Sequence, residues 1–148
     1  MKKNLAILTV LMLMMFGTKS FAAGVGYIDY GKVQDNYAFA KAAVKEVDAK
    51  ALELQQYMVD KEKQYKSLST PVEKQNFETA TAQEYKGKED ALMKLKAQKE
   101  EQVYNKIQAA AKAVLVEQKL DTIVDFRVIF VGGVDVSDAV IAKLKTMP

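Results

Sequence analysis

Residues able to do covalent or acid–base chemistry are scarce in this chain. Its 148 residues include no histidine and no cysteine. That removes the commonest general acid–base group, the thiol nucleophile and the usual zinc ligands. Carboxylates are plentiful but fall mainly on solvent-facing helical positions. Asp29 and Asp125 stand apart, because each ends a short β-favouring segment, residues 25–29 and 121–125. Carboxylates at neighbouring strand ends could form a paired-acid site. Strand-end aspartates more often satisfy nearby backbone donors, which is the favoured reading. Gly24-Val25-Gly26 lacks the third glycine of a dinucleotide fingerprint and precedes a strand, and no Walker-type loop is present. Neither catalysis nor any cofactor or metal is therefore expected.

Binding chemistry is better represented. Tyr57, Met58, Tyr65, Phe77, Tyr85 and Met93 are spread along a charged helical pattern. Amphipathic tyrosine and adaptable methionine suit weak contact with varied apolar chains. Met58, Tyr65, Phe77 and Tyr85 also fall on a hydrophobic seam, where core packing is their default role. Tyr57 and Met93 lie off the seam and are the stronger binding candidates.

The helical pattern runs out and doubles back. On the outgoing limb, Val44, Val47, Ala51, Leu54, Met58, Lys61, Tyr65 and Leu68 alternate spacings of three and four, a heptad seam. The limb breaks at residues 67–71. Thr70 followed by Glu73 fits a capping box, with Pro71 at the first helical position where its missing N–H costs nothing. The return limb carries Phe77, Thr81, Tyr85, Lys88, Leu92, Leu95, Lys99, Val103, Ile107, Ala110 and Val114. Its spacing averages about 3.7 residues against about 3.4 for the outgoing limb, so one perfect seam cannot serve both. The expected result is an arm packed most tightly near Val103–Val114. Gly87, Lys88 and Lys99 loosen the middle, which is expected to bend or open.

Short β-type segments flank the arm. Residues 25–29 read as one strand, 121–125 as a second and 128–131 as a third, with a turn near Phe126-Arg127. Residues 30–37 are ambiguous and include a candidate helical start. Asp135 is placed to cap a terminal helix over 136–146, with Val136, Val140 and Leu144 as its apolar stripe. The fold class is therefore α+β: a small β-rich body carrying a long antiparallel helical hairpin. The body comprises residues 23–37 and 119–148, and the arm residues 38–118.

Residues 1–22 have the pattern of a cleavable export signal. Lys2 and Lys3 precede a twelve-residue apolar run, Leu5 to Phe16, and Ser20-Phe21-Ala22 supplies small residues for cleavage. The run is shorter than the roughly 20 residues of a membrane span. Removing it takes Lys2, Lys3 and Lys19 from the 22 basic residues, leaving 19 against 19 acidic. Net neutrality gives no long-range steering toward nucleic acid, and no nucleic-acid partner is expected. Any membrane-surface contact is expected to be transient. Lys61, Lys63 and Lys66 form the densest local basic cluster, read as a solvated helical face.

Only about 45 residues lie outside the arm, close to the lower limit for a self-sufficient core. Val25, Tyr27, Ile28, Ile123, Val124, Phe126, Ile129 and Val131 nevertheless call for burial. Oligomerisation through a shared body is the economical solution and would also cover strand edges.

Three motifs, in this order around a charged helical hairpin, give the mature chain a resemblance to the Skp/OmpH family of periplasmic chaperones. They are Val25-Gly26-Tyr27-Ile28-Asp29 with Lys32-Val33, then Leu120-Asp121-Thr122-Ile123-Val124-Asp125, then residues 134–144. The resemblance implies a jellyfish-like homotrimer in the periplasm. It implies an ATP-independent holdase whose three arms enclose unfolded outer-membrane proteins on their way to assembly. One departure is charge: family members are strongly basic, whereas this mature chain is formally neutral. The alternative is a structural coiled-coil tether of the cell envelope. An enzyme or solute-binding protein fits poorly.

Overall fold

The computed structural model describes residues 24–147; the expected export signal lies outside the described residues. The elements are β1 (Gly24–Ile28), α1 (Tyr30–Asp35), α2 (Ala38–Ser67), α3 (Pro71–Glu117), β2 (Leu120–Asp125), β3 (Val134–Asp135) and α4 (Ser137–Thr146). A single 3-10 turn, Phe126–Val128, follows β2. The fold class is α+β, with a three-stranded sheet and a long helical hairpin.

The sheet order is β2-β1-β3, and β1 pairs in parallel with both neighbours. Parallel strands cannot be joined by a tight turn and need a crossover. The connection from β1 to β2 is the whole hairpin α2–α3 together with α1. The arm is thus an elongated crossover, anchored at both ends in one small sheet.

Local chemistry explains most boundaries. The Asp29 carboxylate accepts the Lys32 backbone N–H at 3.0 Å and caps α1. At the arm's tip, Thr70 Oγ1 accepts the Glu73 N–H at 3.2 Å, and the Glu73 carboxylate accepts the Thr70 N–H at 3.0 Å. With Pro71 opening α3, this is the expected capping box. At the other end of α3, Lys119 turns the chain out of the helix with φ 54°, the left-handed position beyond a helix C-cap.

The core lies where the arm meets the body. Val103, Ile107, Ala110 and Val114 of α3 meet Ala40 and Ala43 of α2, Ile28 of β1 and Val33 of α1. Val136, Val140, Ile141 and Leu144 complete it, so the apolar stripe expected for the last helix is buried. Burying each such side chain stabilises by about 1.5–3 kcal/mol relative to exposure. The buried Ser137 ties α4 to the end of β1: its Oγ accepts the Asp29 N–H at 2.9 Å and donates to Asp135 Oδ1 at 2.6 Å. Asp135 Oδ1 also accepts the Ser137 N–H at 2.9 Å. Asp135 is not the N-cap expected: α4 begins one residue later, its N-cap is Val136 without a side-chain cap hydrogen bond, and Asp135 accepts the Ser137 N–H from the position before it.

Three expectations are corrected. Residues 128–131 do not form a strand. Asp125 draws the chain into the 3-10 turn by accepting the Arg127 backbone N–H at 2.9 Å and its guanidinium at 2.8 Å. The third strand is instead Val134–Asp135, reached through Gly132 and Gly133 at φ 81° and 87°. At Gly133 a Cβ would sit 3.1 Å from the Tyr27 ring and 3.2 Å from the Val25 carbonyl oxygen, so the return to β1 requires glycine there. On the outgoing limb, the inward positions near the body are Ala40 and Ala43, while Val44 is 59% exposed. Farther out, Tyr57 is half-buried on the seam, while Met58 and Ala51 are exposed. Small alanines let α2 approach α3 closely at the root, a role that a pattern drawn from large apolar residues misses. Of the return-limb positions, Lys88 alone is exposed; the others are buried or half-buried.

Candidate functional site

The arm has three zones of different chemistry. At the root, α2 and α3 close on the aliphatic core described above. Next to it lies a groove of about 720 Å³, lined by Ala43, Val44, Val47, Leu92, Met93 and Val103 among others. Met93 is 60% exposed on its rim, and Val44 stands beside it. Lys41, Lys45, Lys96 and Lys99 edge the groove, with Asp35, Asp48 and Glu100 interspersed. Lys99 reaches across to Glu46 at 2.6 Å. A smaller opening of about 340 Å³ continues outward past Leu54, Leu92 and Leu95.

The distal zone is held differently. Tyr57 donates its hydroxyl to Glu84 at 2.6 Å, and Lys61 pairs with the same carboxylate at 2.9 Å. The Lys61 ammonium lies 5.1 Å from the Tyr57 ring centroid and 5.3 Å from that of Phe77, while Lys88 lies 5.0 Å from Tyr57. Tyr65 packs against Phe77 at 6.4 Å, and Lys74 sits 5.4 Å from Tyr65. These ring–cation distances are within the attractive range.

The titration behaviour follows. The Tyr57 hydrogen bond, then Lys61, holds the Glu84 carboxyl below its ordinary value. The hydrogen bond to Glu84 pushes Lys61 up. Partial loss of hydration, reinforced by Glu84, raises the Tyr57 hydroxyl. Thr81, also facing this zone, has a hydroxyl oxygen without a hydrogen-bond partner.

The six arm candidates therefore divide. Tyr57, Tyr65, Phe77 and Tyr85 are half-buried between the helices. Met58 and Met93 are exposed. Tyr57, expected off the seam, is half-buried on it, bonded to Glu84 and flanked by Lys61 and Lys88: a tyrosine can bury its ring while its hydroxyl reaches a carboxylate. Val44, which the heptad pattern places inside, joins Met93 on the groove. Its exposure was not legible because the seam shifts by one residue to admit Ala43.

In the body, Ile28 is buried, and Tyr27, Ile123, Val124 and Ile129 are half-buried. Val25, Phe126 and Val131 are exposed in the single chain. Val128 and Phe130, which sequence reasoning did not single out, join them; Phe130 is fully exposed. The signal for Phe130 was its place in the apolar run 128–131. Asp29 and Asp125 each engage neighbouring donors, the Lys32 N–H and Arg127 respectively. The Arg127 hydrogen bonds lower the Asp125 carboxyl to about 2. No group of three or more metal-ligating side chains gathers among the described residues, and none of their helices is long and apolar enough to cross a membrane.

No family model matches the chain, and no curated protein matches it. Among solved structures, the chain is similar to a protein of Caulobacter crescentus CB15 described as an outer membrane chaperone (OmpH-like). Identity is 16%, coverage is 82% of this chain and 83% of the other, and the TM-score is 0.41.

Proposed function

We propose that this protein is an ATP-independent holdase of the periplasm that keeps unfolded outer-membrane proteins soluble, working as a homotrimer with its arms around the client. The observation that carries this reading is the open groove next to the arm's root. There Val44 and Met93 are exposed beside Val47, Leu92 and Val103 and share one groove, whereas Leu52, Met58, Val59, Val72 and Tyr104 are exposed elsewhere on the arm and do not line it. An apolar surface with an adaptable methionine gives many weak contacts and no fixed geometry, which suits unfolded chains. Release needs no nucleotide where membrane insertion is the stronger sink.

Assembly is supported by a second surface. Phe126, Val128, Phe130, Val131 and Val134 leave a small body with large apolar side chains in water. Such a patch on so small a body favours burial against further copies. The export-signal pattern at residues 1–22 supports the compartment, and the three ordered motifs support the class.

The tether reading retains one favourable observation, the charged clasp that fixes the distal seam. Native mass spectrometry of the mature protein with a urea-unfolded outer-membrane barrel protein separates the two readings. A complex of three chains with one client is expected. A bare trimer with the client lost to aggregation would turn the reading toward a tether. Val44→Ser with Met93→Ser is expected to weaken suppression of aggregation while oligomeric mass stays the same. Unchanged suppression would remove the groove from the binding surface.

A further inference from the structure

Cross-helix contacts are unevenly distributed along the arm. The root is closed by buried aliphatic residues, with the Lys99–Glu46 pair at its outer edge. The distal zone has an opening of its own, about 430 Å³ beside Met58, Tyr65, Phe77 and Tyr85, but its helices are tied across by the Tyr57–Glu84 and Lys61–Glu84 contacts, the tilted ring pair Tyr65–Phe77 and the capped turn at Thr70. Between Glu46 and Tyr57, about three helical turns, no hydrogen bond or ion pair joins α2 to α3 among the described residues. Only Val47, Leu54, Leu92 and Leu95 face one another there, half-buried and flanked by the two openings. Gly87 lies at the border between this stretch and the clasp, where a Cβ would meet nothing within 4 Å.

We infer that the arm opens by bowing in its middle while its tip stays closed. A projecting hairpin would ordinarily fray from its free end, where support from the core is least. In this arm, fraying must break the shared Glu84 contacts, the ring packing and the tip turn together. Parting the middle sacrifices only incomplete apolar contact. Long helices also curve gently without losing their hydrogen bonds. Bowing widens the strip lined by Val47, Leu54, Leu92 and Leu95, and the Tyr57–Lys61–Glu84 clasp bounds it on the distal side. The device therefore controls how much apolar surface the arm exposes, whichever partner uses it.

The chain has no native cysteine, so spin-label pairs can be placed without background. One pair, Gln55→Cys with Lys94→Cys, reports the middle; another, Gln64→Cys with Gln75→Cys, reports the tip. All four positions are exposed. Labelled full-length mature protein diluted into unlabelled protein excludes distances between chains. The middle pair is expected to show the broader distance distribution. Adding Tyr57→Phe with Glu84→Gln is expected to broaden the tip pair to at least the same width, with helicity by circular dichroism unchanged. A tip distribution as broad as the middle one in the otherwise native arm would overturn the bowing. A narrow tip in the clasp variant would overturn the role of the clasp, and comparison in the native arm stands even if that variant loses helicity.

Discussion

The root and the distal end of the arm solve the same packing problem with different chemistry. At the root, Val103, Ile107, Ala110 and Val114 are at most 4% exposed and face alanines and aliphatics from every neighbouring element. Distally, only two helices are available, so nothing can be fully buried. Side chains that pack a ring or stem and keep a polar end in water take over: Tyr57, Lys61, Tyr65 and Lys74. A two-helix layer can thus be held in register without a dry core, but by contacts that respond to charge and salt. The root depends mainly on exclusion of water, with charge confined to its edge at Lys99–Glu46 and Lys106 over the Phe39 ring. The stretch between has neither device in full.

The comparison breaks most easily at Ile107. It is 2% exposed, and Ile107→Ala is expected to cost about 2–5 kcal/mol, read from urea unfolding followed by circular dichroism. A loss below about 1 kcal/mol would mean that the root repacks freely and is no better filled than the rest of the arm. Leu54→Ala sharpens the contrast. Leu54 is half-buried beside an opening, so less contact is lost and no closed cavity is left, and a cost of about 1 kcal/mol is expected. Equal losses at the two sites would contradict an open middle.

What the sequence made legible follows the same division. The return limb reads correctly from period except at Lys88, because its inward positions are mostly apolar residues from Leu92 to Val114 and rings farther out. The capping box at Thr70 reads correctly because it is local chemistry needing no partner. The outgoing limb reads one residue off in places, because its inward positions include Ala40, Ala43 and Tyr57, which a hydrophobicity pattern undervalues. The parallel pairing of β1 with β2 was not legible, since register across so long a crossover depends on tertiary packing. Nor was β3, whose two residues are too few to show a period. The run 128–131 misled because β-favouring residues without an adjacent strand form no ladder. The groove with Val44 and Met93 was half-legible: Met93 stood out from its seam, while Val44 was hidden by the shift.

Gly87→Ala tests the middle from the other direction. The position is helical and free of steric conflict. Alanine is expected to stabilise by about 1 kcal/mol through helix propensity, visible as a higher midpoint in thermal unfolding. The same substitution is expected to narrow the distance distribution of the middle spin-label pair. Stabilisation without narrowing would mean that opening depends on side-chain packing alone and that the glycine does not contribute to it.

The smallest global effect, and the most selective local one, is expected from acid and salt. Glu84 is held below its ordinary value by Tyr57 and then Lys61, so its contribution is complete above the unfolded carboxylate range and is lost as pH falls through the depressed folded value. Lys61 is raised, so its contribution is complete below the ordinary lysine range and is lost only as pH rises through the higher folded value. The clasp is therefore intact across neutral pH and weakens in acid, below the ordinary carboxylate range. Because Glu84 is exposed, salt of roughly 1 M also weakens the pairing through screening. The tip spin-label pair is expected to broaden under either condition. A label pair spanning α2 and α3 at the root is expected to change least in salt, since buried aliphatic residues close that contact and charge enters it only through Lys99–Glu46 at its outer edge and Lys106 over the Phe39 ring. Parallel broadening at root and tip would show that the arm opens as one unit, and the distinction between its two ends would then be one of composition without mechanical consequence.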